Sequence, residues 1–454
     1  MGLAQLKQTE NTAQRKTIIV GLGKSGLSCA RFLMSQGVDL MVVDSRANPP
    51  AKQQLQNELP DVETRFGSFD AELFGQAGML VVSPGVSLRD PVIAAAIKAG
   101  VEVVGDIELF ARHAKAPVIA ITGSNGKSTV TTMVGEMAKA ASRDVHVGGN
   151  IGIPALDLLQ QGEPDLYVLE LSSFQLETTT SLKPAVAVVL NISQDHLDRY
   201  SDLQDYAETK QRIYAGAAIK LVNLDDPVVA SWCGDDQSWL RFSLQQPQRA
   251  NDFGVVQQDG QSWLAKGEQI LLPVSDLKVA GKHNIANALA ALALGEAVGL
   301  PMEAMLEALH RFAGLPHRCQ WLAEKDGVNW YNDSKATNVG AAVAAITGMD
   351  GKAVLLAGGE AKGQDFSALR DAMANKGRVA VLFGADAEQI ATALNGVVKI
   401  EQVDNMHAAV EAAKKLAQTG DAVLLAPACA SFDMFSGYED RGNQFAAAVA
   451  EVLA

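Results

Sequence analysis

Val118-Ile-Ala-Ile-Thr-Gly-Ser-Asn-Gly-Lys-Ser-Thr-Val130 decides how the rest of the chain is read. Val118 to Ile121 are apolar and β-prone, so they read as a buried strand. A turn of Gly123, Ser124, Asn125 and Gly126 follows, then Lys127, Ser128, Thr129 and a run with helical spacing. Glycines let backbone N–H groups converge on an anion, and the helix N-terminus adds its partial positive charge. A nucleotide phosphate is cradled this way, with Lys127 reaching the outer phosphates and the Ser128 hydroxyl ligating Mg²⁺. The usual loop reads Gly-x-x-x-x-Gly-Lys-Ser/Thr. Here only Ser124 and Asn125 stand between the glycines, which implies a narrower family inside the broad P-loop class. The competing reading is a plain glycine turn before a helix.

At 454 residues, the length suggests about three domains. Apolar residues make up 48% of the chain and charged ones 20%, an ordinary globular composition. Apolar runs fall far short of the roughly 18 residues that suggest a membrane span. Met1 to Lys16 is polar and mixed, without a secretory apolar core, and is expected to be a short frayed leader on a cytoplasmic protein. Cys29, Cys233, Cys319 and Cys429 lack metal-ligand spacing and read as reduced thiols. A net charge of −14 argues against bulk affinity for nucleic acid or anionic membrane.

Upstream, Thr17 to Val20 reads as a strand entering Gly21-Leu-Gly-Lys-Ser-Gly26, then a helix to about Gln36. A second strand, Leu40 to Val43, ends at Asp44. This is the Gly-x-Gly-x-x-Gly dinucleotide fingerprint with its acidic residue in place. Alone it suggests a dehydrogenase. Beside a second, independent phosphate loop it favours some other nucleotide diphosphate. Asp44, Ser45 and Arg46 then fall where a base or ribose would lie. Met79 to Val82 is a further strand, and its turn, Ser83-Pro-Gly-Val86, lies on the ligand side of an open α/β sheet.

Downstream of the loop, Val145 to Val147 runs into the glycine cluster around Asn150. Leu166 to Leu169 is a buried strand ending in Glu170, a carboxylate well placed to hold Mg²⁺. Ala185 to Asn191 is another strand, and Asp195, His196 and Asp198 follow its end. A helix over Tyr206 to Tyr214 carries Lys210, which spacing alone places on the surface. Short strands from Arg241 to Pro273 read as an antiparallel appendage. Asn284 and Asn287 share one face of the helix that opens at Gly281, where two amides could bracket an adenine and its ribose; capping by Asn284 alone is the other reading.

From Leu315 onward, strands and helices alternate, which predicts a mostly parallel doubly wound sheet. Its strand ends carry Asn332-Asp-Ser-Lys-Ala-Thr-Asn338, Gly358-Gly-Glu-Ala-Lys362 and Pro427-Ala-Cys-Ala-Ser-Phe-Asp433. These clusters are expected at one edge, the ligand crevice of such a sheet.

Taken together, Thr122-Gly-Ser-Asn-Gly-Lys-Ser-Thr129, Glu170-Leu-Ser-Ser-Phe-Gln175, His196-Leu-Asp-Arg-Tyr200, Gly281-Lys-His-Asn-Ile-Ala-Asn287, Pro316-His-Arg318 and Asn332 to Asn338 resemble the Mur ligases. These are ATP-dependent amide-forming enzymes of peptidoglycan precursor synthesis, related to folylpolyglutamate synthetase. The resemblance runs in order from about Thr17 to Gly442. The turn Gly21 to Gly26, and Pro427 to Phe435 with Tyr438-Glu-Asp-Arg-Gly442, resemble the branch that adds D-glutamate to UDP-N-acetylmuramoyl-L-alanine.

The resemblance implies an α/β fold of three domains. A Rossmann-like domain over 1–105 would hold the uridine nucleotide, a central P-loop-type ATPase domain over 106–314 would hold ATP, and a Rossmann-like domain over 315–454 would hold the amino acid and ATP. It implies ATP contacts at Gly123 to Thr129, Asn284, Asn287, Arg318, Asp333 and Lys335. Lys24, Ser25, Asp44, Ser45 and Arg46 would meet the uridine diphosphate end, and Asn150 the muramoyl group. Thr337, Lys362, Ser431 and the Tyr438 ring would grip D-glutamate. Ser128, Glu170 and His196 would bind Mg²⁺, two ions in all, and His196 would also approach the amine. Lys210 would be the family's carbamylated lysine, a neutral amine that captures CO₂ to become a metal-binding anion. Lys127, His196 and Lys210 are thus the expected catalytic set, in a cytoplasmic monomer. A nicotinamide oxidoreductase, another amide ligase and a nucleotide-dependent switch are the alternatives.

Overall fold

The computed structural model of the chain describes residues 16–193, 199–234, 236–279, 281–349, 351–361 and 363–454. It divides into two compact units, Met1–Val256 with Ala265–Ile270 and Asn287–Leu306, and Gln257–Leu264 with Leu271–Ala286 and Glu307–Ala454. No helix among the described residues is long and apolar enough to cross a membrane.

In the first unit, β1 (Thr17–Val20), β2 (Leu40–Asp44), β3 (Glu63–Phe66), β4 (Met79–Val82) and β5 (Glu102–Val104) form a five-stranded sheet in the order β3-β2-β1-β4-β5. All its pairings are parallel. Apart from Thr17 and Asp44 at their ends, the central strands β1 and β2 are apolar, and they are buried along their length, as in a parallel sheet covered on both faces. Val20 pairs with both Val43 and Val82, so Gly21, Asp44 and Ser83 leave the sheet at one edge.

The loop strand β6 (Val118–Thr122) is the centre of a second parallel set. With β7 (Val145–Gly149), β8 (Leu166–Glu170), β9 (Val186–Val189), β10 (Ile219–Asn223) and β11 (Leu240–Phe242) it runs in the order β11-β10-β9-β6-β8-β7. All five residues of β6 are buried. Ile121 pairs with Glu170, and Glu170 with Gly149, so the phosphate loop, Glu170 and Asn150 emerge side by side. The appendage after Arg241 departs from expectation at its start. β11 meets β12 (Phe253–Gln258) in parallel, through Phe242 and Phe253, and β13 (Gln261–Lys266) and β14 (Gln269–Pro273) follow in the order β14-β13-β12. The segment between β11 and β12 is too long for a tight hairpin and returns the chain in the same direction.

In the second unit, β15 (Gln320–Lys325), β16 (Val328–Asn332), β17 (Ala353–Gly358), β18 (Gly377–Phe383), β19 (Lys399–Gln402) and β20 (Ala422–Leu425) form a six-stranded sheet. Its order is β15-β16-β20-β17-β18-β19, parallel except for β15. Leu425 pairs with both Asn332 and Leu356, which brings the three polar clusters to one edge as the alternation implies. The antiparallel edge strand β15 was not expected. The last helix spans Tyr438–Leu453.

Candidate active site

The edge of the first sheet opens on a cleft of about 550 Å³. Its walls come from the glycine turn (Gly21, Lys24, Ser25), the end of β2 (Asp44, Ser45, Arg46), the turn Ser83 to Val86, and Asn150 with Gln175. Gly26 is tightly constrained here, since a Cβ on it would lie 2.0 Å from the Gly21 carbonyl oxygen. Asp44 is buried and accepts from the Leu22 amide at 2.7 Å and from the Arg46 guanidinium at 2.7 and 2.8 Å. Burial pushes its carboxyl up, but those donors outweigh burial and hold it below the usual range. Arg46 is half exposed, with only part of its fork committed to Asp44. Lys24 donates to the Gly152 carbonyl across the cleft rim. Gln175 donates to Asp106 at 2.9 Å, which fixes its amide at the cleft floor.

The phosphate loop lies at the end of β6. Gly126 caps the helix Lys127–Ala140 in the left-handed region, with φ +82°. A Cβ there would meet Asn287 Oδ1 at 2.5 Å, so Asn287 is seated against the loop. Lys127 Nζ donates to the Gly123 and Ser124 carbonyls, both at 2.8 Å. The Ser124 hydroxyl bonds to Ser193 and to the Tyr206 hydroxyl. Ser128 is buried at the first turn of the helix.

Lys210 is 2% exposed, so the surface position drawn from spacing is corrected. On the helix Leu203–Gln211, Tyr206 and Lys210 are four residues apart and share its buried face. Lys210 Nζ lies 4.7 Å from the Tyr206 ring centroid and 3.3 Å from Thr122 Oγ1, at the end of the loop strand. Glu170 is equally buried. Its Oε1 accepts from Asn150 at 2.7 Å, while Oε2 has no hydrogen-bond partner among the described residues. A buried carboxylate oxygen left open beside a phosphate loop fits a divalent cation. Among the described residues no three His, Cys, Asp or Glu side chains gather as a complete metal cage. His196, the remaining expected ligand, lies outside the described residues, as do Asp195 and Asp198.

In the second unit, Arg441 is fully buried at the sheet edge. It donates to the Ser334 hydroxyl and carbonyl, at 3.0 and 2.9 Å, and to the carbonyls of Gly358, Cys429 and Ala430. One guanidinium therefore gathers all three strand ends. Burial pulls its pKa down to about 10. Asp333 is buried and accepts from the Cys319 amide at 3.1 Å; burial pushes its carboxyl up against that donor and the charge of Arg318. Lys335 Nζ sits 5.2 Å from the Tyr438 ring centroid. Ser431 is buried at this edge, Thr337 is half-buried, and Arg318 is exposed. Lys362 lies outside the described residues.

Family models match three successive parts of the chain: the Mur ligase MurD-like N-terminal domain at residues 15–105, the Mur ligase middle domain at 121–295, and the Mur ligase glutamate ligase domain at 317–429. A UDP-N-acetylmuramoylalanine–D-glutamate ligase of Nitrosococcus oceani is 54% identical over 439 residues, 96% of this chain and 97% of that protein. The chain belongs to the Mur ligase family. A ligase of the same description from Pseudomonas syringae pv. syringae is 57% identical over 441 residues, 96% of this chain and 98% of its own. Among solved Mur ligases, the UDP-N-acetylmuramate-alanine ligase of Thermotoga maritima superposes with a TM-score of 0.56 at 19% identity, covering 96% of this chain and all of its own, and so shares the fold. The α/β, three-domain architecture expected of a Mur ligase is the one found.

Several contributors escaped the sequence reading. Gln175 lines the cleft, and nothing in the stretch Glu170-Leu-Ser-Ser-Phe-Gln175 marks it as a cleft residue. Arg441 carried no signal beyond its place in Tyr438-Glu-Asp-Arg-Gly442. Arg199, within the His196-Leu-Asp-Arg-Tyr200 stretch, carries no sequence signal of its own.

Proposed function

We propose that this chain joins D-glutamate to UDP-N-acetylmuramoyl-L-alanine in peptidoglycan precursor synthesis, at the expense of ATP. The observation that carries this reading is the convergence of Lys24, Ser25, Asp44, Ser45, Arg46 and Asn150 on one cleft. The family resemblance assigns those residues to the uridine diphosphate and muramoyl parts of that substrate. Near-full-length relatives described as D-glutamate ligases support the choice of amino acid.

The chemistry suits the side chains. The substrate's terminal carboxylate attacks the γ-phosphorus of ATP, giving an acyl phosphate and ADP. The D-glutamate amine then attacks the acyl carbon. The tetrahedral intermediate collapses to the amide as the C–O bond to phosphate breaks, and the amine proton leaves to a base. Lys127 and the amides of Gly123 to Thr129 stabilise charge on the transferring group. Ser128, Glu170 and His196 are proposed to hold Mg²⁺, two ions in all, which would neutralise phosphate charge. His196 is also the candidate base. Lys210, buried beside Thr122, is proposed to be carbamylated and to join that ligand set. Lys210→Ala should then be inactive and partly rescued by a short-chain carboxylic acid; a near-wild-type rate would return Lys210 to a packing role.

Asn284, Asn287, Arg318, Asp333 and Lys335 are assigned to ATP, and Thr337, Lys362, Ser431 and Tyr438 to D-glutamate. Under this reading 1–105, 106–314 and 315–454 are the three working domains. A cytoplasmic monomer is part of this reading. The amino-acid dependence of ADP release tests the proposal. Release should require D-glutamate together with UDP-N-acetylmuramoyl-L-alanine. Turnover with L-alanine or on a folate, and none with D-glutamate, would overturn it.

A further inference from the structure

Arg199 stands behind the cleft, not in it. Its side chain is 10% exposed and makes a bidentate pair with Glu177, at 3.2 Å from Nε and 2.6 Å from Nη2. Nη1 also donates to the Pro84 carbonyl at 2.8 Å, and Nη2 to the Val86 carbonyl at 3.2 Å. The guanidinium carbon lies 4.2 Å from the centroid of the Phe174 ring. These partners belong to two different walls. Pro84 and Val86 sit in the turn that lines one side, tied to the glycine turn through Ser83 Oγ and the Gly21 carbonyl at 2.7 Å. Phe174 and Glu177 lie on the helix Ser173–Glu177, which places Gln175 on the cleft floor.

Tyr200 continues the line toward the phosphate loop. Its hydroxyl donates to Glu177 at 2.7 Å, and its ring lies 5.3 Å from that of Tyr206, whose own hydroxyl meets Ser124. A planar fork of five N–H donors can satisfy a carboxylate and two diverging carbonyls together; an ammonium cannot match that geometry.

We propose that Arg199 is a positioning residue for the uridine-nucleotide substrate, clamping the turn Ser83 to Val86 to the helix Ser173–Glu177 and so fixing the cleft width. This rests on the reading of the cleft given above. Without the clamp the two walls move independently, and the free cleft samples geometries that bind the nucleotide poorly.

The test is steady-state ADP release by Arg199→Ala, Arg199→Lys and Glu177→Gln, with each substrate varied in turn. The KM for the uridine-nucleotide substrate should rise about tenfold or more in Arg199→Ala and nearly as much in Arg199→Lys, while the KM for ATP changes less than about twofold. Glu177→Gln, which keeps the shape and loses the charge, should fall between them and wild type. Arg199→Lys and Glu177→Gln carry the test where Arg199→Ala does not fold. Unchanged KM values, with activity falling only as melting temperature falls, would reduce Arg199 to a structural role. An equal rise in both KM values would overturn the selective clamp. Wild-type turnover that needs no uridine nucleotide would instead remove the cleft assignment, which separates the two failures.

Discussion

At Gly126 and Gly26 the main chain itself is the wall of a site, whereas at Arg441 a side chain gathers walls that are otherwise separate. The first unit presents backbone amides and carbonyls directly, because left-handed and close-packed positions there admit only glycine. The second unit's edge is held by one buried cation whose hydrogen bonds all go to neutral groups: Ser334, Gly358, Cys429 and Ala430. Glycine leaves a mark in sequence. A buried arginine does not, until the strand ends it joins are known.

The largest effect separating the two edges should come from Lys127→Ala. Turnover should fall by about a thousandfold or more, the scale of losing a preorganised electrostatic donor. The variant should remain folded and still be stabilised against melting by uridine nucleotides, since Lys127 lines the loop and not the cleft. Retained turnover would break the loop's side of the comparison.

Next in size is Arg441→Lys. Three strand ends would share one ammonium, and the orphaned carbonyls should cost about 3 kcal/mol of stability. The KM for D-glutamate should rise, with uridine-nucleotide binding to the first unit unchanged. Denaturant unfolding and the two KM values check this. A wild-type midpoint with an unaltered D-glutamate KM would show that the second edge does not depend on its cation.

The smallest effect concerns how the first unit is braced. Glu108, on the helix Asp106–His113, accepts from the Thr180 and Ser181 amides at 2.8 and 2.9 Å and from Arg112 at 3.0 Å. Burial pushes its carboxyl up, yet these donors outweigh burial and hold it at about 2, against an ordinary 4.5. A folded pKa below the unfolded one adds stability that is full above pH 4.5 and is lost as the pH falls toward 2. Glu108→Gln should therefore cost about 2 kcal/mol at neutral pH, and the gap to wild type should close on acidification. Melting curves across that range test it; a pH-independent gap would mean that the brace is packing and not charge.

These contrasts explain what could be read in advance. The loop Gly123 to Ser128 and the turn Gly21 to Gly26 were legible because their backbone shapes demand particular residues in particular order. The parallel sheets were legible because strands buried on both faces are unbroken apolar runs. Edge strand β15 was not, since its half-exposed pattern, Gln-Trp-Leu-Ala-Glu-Lys, resembles a polar loop. Spacing puts Lys210 on the surface because a charged residue enters a core only where partners receive it; Tyr206 is one helix turn away, but Thr122 comes from a strand distant in sequence. Arg199 and Arg441 act in large part through backbone carbonyls, which carry no residue identity, and Glu177, the carboxylate partner of Arg199, lies 22 positions away in sequence.

The contact of Lys127 with the carbonyls of its own loop has a further consequence, in entropy. A loop already drawn closed by its own ammonium has little conformational freedom left to lose when an anion arrives. What changes on binding is the lysine's choice of acceptor, carbonyl oxygens giving way to phosphate oxygens. The new bonds are charge-assisted, and they form on a loop whose shape is fixed before the ligand appears.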